Sequence, residues 1–481
     1  MKLRELLNGL TILSSSADLD ADIREVRYDS RAVEEGDLFV AITGAETDGH
    51  KYIPMAREKG AACVVCQTVP EDGTPYVQVV DSRRALAVIG ANRFDHPADE
   101  LTMIGVTGTS GKTTSTYLIK SILEQKAGAK VGLIGTIQNM IGDRVLHTER
   151  TTPESYDLQK LLREMSDAGC SHVVMEVSSH ALCLDRVYGI RYAVGVYTNL
   201  SRDHLDFHHT MEAYCDAKAI LFDHCDVGIY NADDPWHERL MQSAKCPRRF
   251  SYAVHGQADL MAKNVQLHAG SVDFDAEADT EWAHVHVGIP ALFTVYNTLD
   301  AMACCWNLGV PLEECADALA KNHGVKGRME IIPTPGKDYT ILNDYSHKPD
   351  ALENVLQSVK GFAKGRTVVL FGCGGDRDKT KRPVMGAIAA QLADFVIVTS
   401  DNPRTEKPEA IIADILEGMK NTVTPYVTIP DRVEAIHYAM DHAQPGDVIV
   451  LAGKGHEDYQ EIDHKHYPMD ERVIVAEYLN R

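Results

Sequence analysis

The chain has 481 residues, enough for about three domains at roughly 150 residues each, so a single small module is excluded. Hydrophobic residues make up 44% and charged residues 25%, which is typical of globular proteins and excludes wholesale disorder. The 48 Lys and Arg against 70 Asp and Glu give a formal net charge of −22, which disfavours nonspecific binding to nucleic acid or to an anionic membrane surface.

The cysteine pattern and the N-terminal segment indicate a reducing compartment. Eleven cysteines at irregular spacing do not suggest a disulfide framework, and MKLRELLNGL lacks an apolar signal core, so we expect a cytoplasmic protein. Cys63 and Cys66 form a CxxC inside the apolar run AACVVC, but no second CxxC completes a zinc site, so we interpret them as part of a buried strand. No run approaches the ~20 consecutive apolar residues that span a bilayer.

The N-terminal part of the chain combines short β-rich runs with helix-like stretches. The runs REVRY, DLFVAI, AACVVC and YVQVV precede the helix-like RRALAVIGANRF and the polar linker DHPADE. This alternation predicts a small N-terminal α/β domain over residues 1–97.

Beyond the linker, strand-like runs alternate with amphipathic helical runs. The alternation predicts βαβ units on a mainly parallel sheet, in a central domain over 98–330. Near Arg328, the helical PLEECADALAKN gives way to GVKGRMEIIPTPGKD, and a new alternation predicts a C-terminal Rossmann-like α/β domain over 331–481. We interpret the acidic run 273–279 as a solvated loop.

The sharpest local signal is MIGVTGTSGKTTSTYLIKSI, an apolar strand, a glycine turn and Lys-Thr-Thr at the start of an amphipathic helix. Gly108 and Gly111 would let the backbone approach phosphate oxygens, Lys112 supplies a cation and Thr113 a hydroxyl suited to Mg²⁺. Because Val106 stands where the general GxxxxGK[ST] pattern has its first glycine, the loop is of a shortened kind. The segment predicts nucleotide binding, so we expect the central domain over 98–330 to be a P-loop ATPase domain.

The loop and further segments resemble the Mur ligases, ATP-dependent amide-forming enzymes of peptidoglycan precursor synthesis, over essentially the whole chain. The combination is similar to the member that adds a diamino acid to UDP-N-acetylmuramoyl-L-alanyl-D-glutamate. This implies a role in cell-wall assembly, cell shape and division, with ATP, the UDP-muramoyl dipeptide and meso-diaminopimelate as substrates and Mg²⁺ as cofactor. We expect a monomer that binds no nucleic acid. The segments are, in order, YDSRAVEEGDLFVAITG, TTP, MEVSSHAL, TNLSRDHLDFH, AKAILF, GRME, NDYSHKPD, GCGGDRDKTKRP, DNPR and AGKGHEDYQ.

The resemblance implies that ATP first converts the substrate carboxylate, a poor electrophile, into an acyl phosphate. Lys112 and a Mg²⁺ ion on Thr113 would hold the γ-phosphate, with Glu176 and His204 as further metal ligands. By residue type alone, Glu176 would be solvated at a strand end, and His204 in DHLDFHH would belong to a polar loop without zinc-like spacing. The implied ATP set is Gly108, Thr109, Ser110, Gly111, Lys112, Thr113, Thr114, Asn297, Arg328, Asp344 and His347.

Lys218 lies in EAYCDAKAILF, where the helical pattern alone predicts a surface lysine with a snorkelling stem. The resemblance implies instead a catalytic N6-carboxylysine, whose carbamate replaces a cation that would repel Mg²⁺ with an oxygen ligand. The neutral amine must form first. From a reference pKa of about 10.4 this costs roughly 4 kcal/mol near neutral pH, so a desolvated, cation-rich site would be needed.

For the UDP-muramoyl dipeptide, the resemblance implies binding by hydroxyls and one guanidinium, which suit phosphate and carboxylate oxygens. Each residue also has a purely structural interpretation, since Thr-Thr-Pro is a favourable helix start. The implied residues are Ser30, Thr151, Thr152, Ser178 and Arg186.

The DNPR motif follows the apolar strand DFVIVTS, where Asn-Pro is also an ordinary turn and an arginine is usually solvated. In the resembling family this motif recognises the diamino acid, and arginine marks the meso-diaminopimelate enzymes. The Arg404 guanidinium could grip the distal carboxylate bidentately. Arg382 would meet a carboxylate and Glu457 an ammonium. The implied set is Arg382, Asp401, Asn402, Pro403, Arg404, Gly453 and Glu457.

Three alternatives stay open on the sequence. The same ligation could use L-lysine or another diamino acid. A folylpolyglutamate-synthetase-like ligase should lack the DNPR and GKGHE pairing, and a non-catalytic nucleotide-binding homologue is disfavoured by the intact Lys112, Glu176, His204 and Lys218. If the P-loop and the diamino-acid pocket lie on different domains, the C-terminal domain must close over the central one to bring amine and acyl phosphate within reach.

Overall fold

A computed structural model describes residues 1–44, 47–268, 270–322 and 324–480. The chain forms two compact units, Met1–Ser251 with Ala303–Gly309, and Tyr252–Met302 with Val310–Arg481. Both units combine α-helices with sheets whose central strands pair in parallel, as the alternating pattern predicts. The three finer domain ranges remain a prediction.

Helices and strands alternate through the first unit. Its helices are α1 (Leu3–Leu6), α2 (Ile53–Glu58), α3 (Ser82–Arg93), α4 (Lys112–Lys126), α5 (Ser155–Asp167), α6 (Ser179–Cys183), α7 (Leu205–His208), α8 (Met211–Ala219) and α9 (His237–Ser243). Its strands are β1 (Ile12–Ser15), β2 (Val26–Arg27), β3 (Leu38–Val40), β4 (Cys63–Cys66), β5 (Tyr76–Val79), β6 (Thr102–Thr107), β7 (Val131–Ile134), β8 (Asn139–Ile141), β9 (Arg144–Leu146), β10 (His172–Glu176), β11 (Tyr192–Tyr197) and β12 (Cys225–Asn231), while β13 (Arg248–Ala253) crosses into the second unit.

The N-terminal sheet has the order β1-β5-β4-β3-β2, with only β1 antiparallel to its neighbour. The CxxC segment is β4, buried along its whole length, so the buried-strand prediction is confirmed. Burial raises the pKa of Cys63 to about 12 and of Cys66 to about 11, which keeps both thiols protonated. All eleven cysteines are free, and of these only Cys183 is exposed.

The central sheet of the first unit places β6 in the middle of five parallel strands, β12-β11-β6-β10-β7, which β8 and β9 extend in antiparallel fashion. Val106 of β6 is in register with Glu176 of β10, and Thr107 with Tyr197 of β11. The carboxyl ends of these strands therefore share one edge, where α/β sheets place ligands.

The second unit carries the remaining elements. Its helices are α10 (Leu292–Asn307, which ends in the first unit), α11 (Leu312–Leu319), α12 (Pro349–Lys360), α13 (Lys381–Leu392), α14 (Pro408–Glu417), α15 (Arg432–Asp441) and α16 (Glu471–Leu479). Its strands are β14 (Leu260–Leu267), β15 (Val272–Glu277), β16 (Trp282–Val287), β17 (Glu330–Ile332), β18 (Thr340–Asp344), β19 (Thr367–Phe371), β20 (Phe395–Val398), β21 (Tyr426–Thr428), β22 (Val448–Ala452), β23 (Tyr459–Ile462) and β24 (Lys465–Pro468).

The prediction of a solvated loop over 273–279 is wrong. Val272 to Glu277 form β15, the middle strand of the antiparallel β14–β16 ribbon. Val272, Phe274 and Ala276 are buried, whereas the acidic residues between them are only partly covered. The period of two in the apolar residues outweighs the acidic composition, because one face of the strand is buried.

The C-terminal sheet has the order β17-β18-β22-β19-β20-β21 and is parallel except for β17. Parallel pairing brings the carboxyl ends of β18, β22 and β20 to one edge, and the NDYSH, GKGHE and DNPR segments start there. The hairpin β23–β24 follows GKGHE. Among the described residues, no helix is long and apolar enough to cross a bilayer.

Candidate functional site

The P-loop is a strand, turn and helix, as predicted, running from β6 to the start of α4 at Lys112. Gly108 and Gly111 have φ of +152° and +88°, in the region that favours glycine. A Cβ at Gly108 would lie 1.8 Å from Thr198 Oγ1, and that hydroxyl donates to Ser110 O at 2.7 Å. The loop after β11 therefore shapes the turn, and the amides of the first turn of α4 remain at its edge for phosphate oxygens.

Lys112 and Lys218 converge on this turn. Both ammonium groups donate to Gly108 O at 2.9 Å, and Lys112 also donates to Thr109 O at 2.9 Å. Lys218 is 1% exposed, so the surface position expected from the helical pattern is wrong, whereas the desolvated, cation-rich setting is present. Burial, and then the charge of Lys112, hold the pKa of Lys218 well below its usual value.

Glu176 and Thr113, two predicted metal ligands, are in direct contact. The Glu176 side chain is buried, and its Oε1 accepts from Thr113 Oγ1 at 2.9 Å and from Thr136 N at 2.9 Å. Its Oε2 accepts from Thr136 Oγ1 at 3.0 Å. A hydroxyl and a carboxylate side by side are oxygen ligands of the kind that Mg²⁺ prefers, so this donor set fits the metal.

Thr136 was missed on the sequence. It follows β7, which pairs with β10, and Glu176 ends β10. The sequence feature that could have indicated Thr136 is its position just beyond a strand of the same parallel sheet. The carboxyl ends of neighbouring parallel strands lie at one edge, so a threonine there is close to Glu176.

His204 lies in a cluster of aromatic rings at the start of α7. Its ring centroid is 4.8 Å from that of His180 and 6.2 Å from that of Tyr214. Tyr214 also stacks on His208 at 4.9 Å, and Lys218 Nζ lies 4.4 Å from its ring centroid. Tyr214, which the sequence did not single out, therefore links His204 to Lys218. In the part of the chain that the structure describes, no group of three or more His, Cys, Asp or Glu could hold a metal by itself.

Four of the predicted dipeptide-binding residues lie together beside Glu176. Thr152 Oγ1 donates to Glu176 O at 2.8 Å and accepts from Ser178 N at 3.1 Å. Arg186 Nη1 donates to Thr152 O at 3.3 Å. The Thr151 hydroxyl lies 3.0 Å from that of Thr136. Ser30 lies on another part of the first unit, where its Oγ donates to Met55 Sδ at 3.5 Å.

A buried carboxylate, that of Glu154, lies close to three arginines beside Thr152 and Arg186. Its Oε2 lies 3.4 Å from Arg83 and from Arg186, and 3.9 Å from Arg150. The Glu154 side chain is 5% exposed. Because one carboxylate faces three guanidinium groups, the cluster carries a net positive charge close to the predicted dipeptide residues. A positive field of this kind favours an anionic substrate such as a diphosphate.

In the second unit, the predicted ATP residues of GRME and NDYSH surround Tyr345. Arg328 Cζ is 5.0 Å from the Tyr345 ring centroid, and the His347 ring is 4.6 Å away. Asp344 Oδ2 accepts from Met329 N at 2.8 Å, and burial raises the pKa of Asp344. Burial lowers the pKa of His347 to about 4, so its imidazole is neutral at physiological pH. The predicted Asn297 is buried within α10.

The DNPR and GKGHE turns meet through a buried lysine. Lys454 Nζ donates to Asn402 Oδ1 and to Glu457 Oε2, each at 2.7 Å, and Lys454 is 0% exposed. Asn402 Nδ2 completes the triangle by donating to Glu457 Oε2 at 3.0 Å. A Cβ at Gly453 would lie 2.6 Å from Asp401 Oδ2, so the turns approach closely. Lys454 was missed although GKGHE was recognised.

Arg404 ends the DNPR motif, and Arg382 pairs with a carboxylate just beyond it. Arg404 Nε pairs with Glu461 Oε2 at 2.7 Å. Arg382 is fully buried and pairs with Glu406 Oε1 and Asp414 Oδ2, each at 2.8 Å, while Glu406 N donates to Pro403 O at 3.0 Å. Arg382 therefore fixes the segment after DNPR through Glu406. Its contact with a substrate carboxylate remains a prediction.

Three family descriptions match the chain in order. The Mur ligase family catalytic domain matches residues 22–94, the Mur ligase middle domain 106–305, and the Mur ligase glutamate ligase domain 327–455. These ranges contain the P-loop, Glu176, Lys218 and the DNPR motif.

Two curated relatives and one solved structure match over the full length. The UDP-N-acetylmuramoyl-L-alanyl-D-glutamate--2,6-diaminopimelate ligase 1 of Clostridium acetobutylicum is 47% identical over 100% of this chain and 99% of its own length. The ligase of the same description from Clostridioides difficile is 42% identical over 100% of both chains. A solved structure of such a ligase superposes with a TM-score of 0.73 at 32% identity, covering 100% of this chain and 99% of that one.

Proposed function

Because the chain belongs to the Mur ligase family, we propose that it joins meso-diaminopimelate to UDP-N-acetylmuramoyl-L-alanyl-D-glutamate in an ATP-dependent amide ligation of peptidoglycan precursor synthesis. The observation that carries this function is the sheet edge at which the P-loop, Glu176 and the four predicted dipeptide-binding residues meet. A carboxylate bound there would lie beside the phosphate loop, as formation of an acyl phosphate requires.

Thr113 and Glu176 would hold Mg²⁺, with His204 and the modified Lys218 completing the set. When bound, the ion neutralises charge on the nucleotide phosphates. Lys112 would exchange the carbonyls of Gly108 and Thr109 for phosphate oxygens. Its ammonium gains a stronger partner in that exchange, since charge-assisted hydrogen bonds to phosphate exceed those to a neutral carbonyl.

Lys218 would act as N6-carboxylysine. The lone pair of the neutral amine attacks the carbon of CO₂, and one N–H proton is released, leaving a carbamate anion. Burial and the nearby Lys112 favour the neutral amine that this step needs. The carbamate then offers oxygens in place of a cation.

The second unit would select the amine. Arg404 would bind the distal carboxylate of diaminopimelate, and Glu457, oriented by Lys454 and Asn402, would bind an ammonium group. L-lysine lacks that carboxylate and is the poorer substrate. We also propose a cytoplasmic location, since free and mostly buried thiols suit a reducing compartment.

The test is phosphate release from ATP by the purified protein with UDP-muramoyl dipeptide and a panel of amines. Turnover should require both the dipeptide and diaminopimelate, because an acyl phosphate without an amine to attack it hydrolyses slowly. Equal release without any amine would contradict a ligase function. Omission of the dipeptide controls for unrelated ATPase activity.

A further inference from the structure

The Arg404 guanidinium already holds a carboxylate. Its Nε pairs with Glu461 Oε2 at 2.7 Å, and both side chains are largely covered, with 16% and 18% exposed. Its Nη1 donates to Gly375 O at 2.9 Å. Glu461 belongs to β23 of the hairpin that follows GKGHE, and the sequence did not single it out as a binding residue.

These contacts occupy both bidentate edges of the guanidinium. A carboxylate grips arginine with two oxygens either along the Nε and Nη2 edge or along the Nη1 and Nη2 edge. Glu461 takes one position of the first edge, and the Gly375 carbonyl takes one of the second. A ligand carboxylate that binds bidentately must displace one of them. The Glu461 side chain can rotate away, whereas the Gly375 carbonyl is fixed in the backbone.

The hairpin is held in place for this pairing. Arg404 N donates to Glu461 O at 3.1 Å, and Asp463 N donates to Arg404 O at 3.0 Å. Glu461 N donates to Asn402 Oδ1 at 2.9 Å. Arg404 has φ of +51°, a strained value for a residue with a side chain. The backbone hydrogen bonds to the hairpin hold Arg404 in this conformation. The Glu461 backbone is therefore held beside Arg404, while its side chain can still rotate.

We infer that Glu461 occupies the place of the ligand's distal carboxylate on Arg404, so that the diamino acid binds by exchanging one carboxylate for another. This inference rests on the proposed function and adds a specificity-determining residue to it. Diaminopimelate can replace Glu461, because it brings a carboxylate of its own. Lysine cannot, so it meets a guanidinium that is already neutralised and gains nothing from Arg404.

The exchange predicts that removing the competing carboxylate improves diaminopimelate binding. Glu461→Gln should lower KM for diaminopimelate about two- to fivefold, the range for a partly exposed ion pair. The kcat value and KM for ATP should stay unchanged, which damage to the hairpin would not produce. Use of lysine should also stay unchanged. Glu461→Met, which removes the carboxylate without leaving an amide, should also lower KM for diaminopimelate.

Glu417→Gln is the matched control, because it makes the same chemical change in an exposed pair with Lys420 of the same unit. An unchanged or higher KM for diaminopimelate in both Glu461 variants would overturn the inference, as would an equal gain for lysine. A wild-type protein that does not turn over diaminopimelate would instead contradict the proposed function, so the two failures are distinguishable.

Discussion

Lys112 and Lys218 donate hydrogen bonds to the same carbonyl oxygen, that of Gly108, at 2.9 Å each. Two ammonium groups on one acceptor repel each other, and the burial of Lys218 removes the water that would screen them. The arrangement therefore disfavours the charged form of Lys218, the more buried of the two lysines. A reactive amine is the chemical result.

Lys218 should carry a carbamate in the active protein. With ¹³C-labelled bicarbonate, the wild type should show a carbamate carbon signal by NMR, and Lys218→Ala should lose both this signal and most activity. Lys120→Ala is the control, since Lys120 is also buried but is paired with Glu124 at 2.5 Å. A signal that persists in Lys218→Ala would refute the assignment.

The carbamate signal should weaken as pH falls. The pKa of Lys218 lies below the 10.5 of a free lysine, so the neutral amine persists at lower pH than usual but is lost once the pH falls through that lowered pKa. Lys112→Met removes one cause of the lowering. The midpoint of the pH titration of the signal should then move to higher pH. A midpoint that stays in place would show that Lys112 does not act on Lys218.

Arg404→Ala should lower kcat/KM for diaminopimelate by a factor on the order of 30 to several thousand, since losing one partner of a buried charge pair costs roughly 2–5 kcal/mol. Lysine should be a poor substrate of the wild type and much less affected. Steady-state kinetics with both amines measure this. Equal losses for the two amines would remove the specificity assignment while leaving the ligase function intact.

Thr136→Val should raise the Mg²⁺ concentration for half-maximal activity by about tenfold or more, because groups that orient a metal ligand typically contribute that much to affinity. The change removes the hydroxyl that donates to Glu176 Oε2 at 3.0 Å. Thr428→Val in β21, an exposed position, is the control. An unaltered Mg²⁺ requirement would show that the remaining bonds suffice to orient Glu176.

Arg382→Met should lower the free energy of unfolding by about 1.5–3 kcal/mol, because it removes the hydrogen bonds of a buried guanidinium to charged groups. Glu406 keeps Lys379 at 3.0 Å and the Asp414 side chain is 46% exposed, so neither carboxylate is left as an isolated buried charge. Arg382, first among the causes, lowers the pKa of Glu406 to about 2 from 4.5. The stabilisation is present above pH 4.5 and is lost as the pH falls toward 2, so the variant should show a flatter acid limb in denaturant unfolding. The exposed Arg377→Met is the control.

Local patterns predicted the elements of the site better than its contacts. Strand, turn and helix at the P-loop follow from a short apolar run, glycines and an amphipathic stretch, and all are present. The burial of Lys218 could not be read from α8, because it depends on β6 and on the turn before α4. Glu461 and Arg404 are far apart in sequence, and only the hairpin after GKGHE brings them together.

The resemblance to Mur ligases supplied what periodicity could not, namely which of many polar residues to single out. It did not give the partners of those residues. Arg382 was expected at a ligand and lies fully buried between two carboxylates, while Thr136, Tyr214 and Lys454 are neighbours that no motif had marked. Such contacts depend on tertiary packing, which overrides local signals.

The burial of every cysteine but one makes the chain convenient for spectroscopy. Cys183 is the exposed thiol, at the end of α6 and between Ser178 and Arg186 in sequence. A maleimide fluorophore should therefore attach at a single position in the unaltered protein, with no cysteine to be removed first. Because the dye would lie on the segment that carries two of the predicted dipeptide-binding residues, its emission could follow substrate binding in real time.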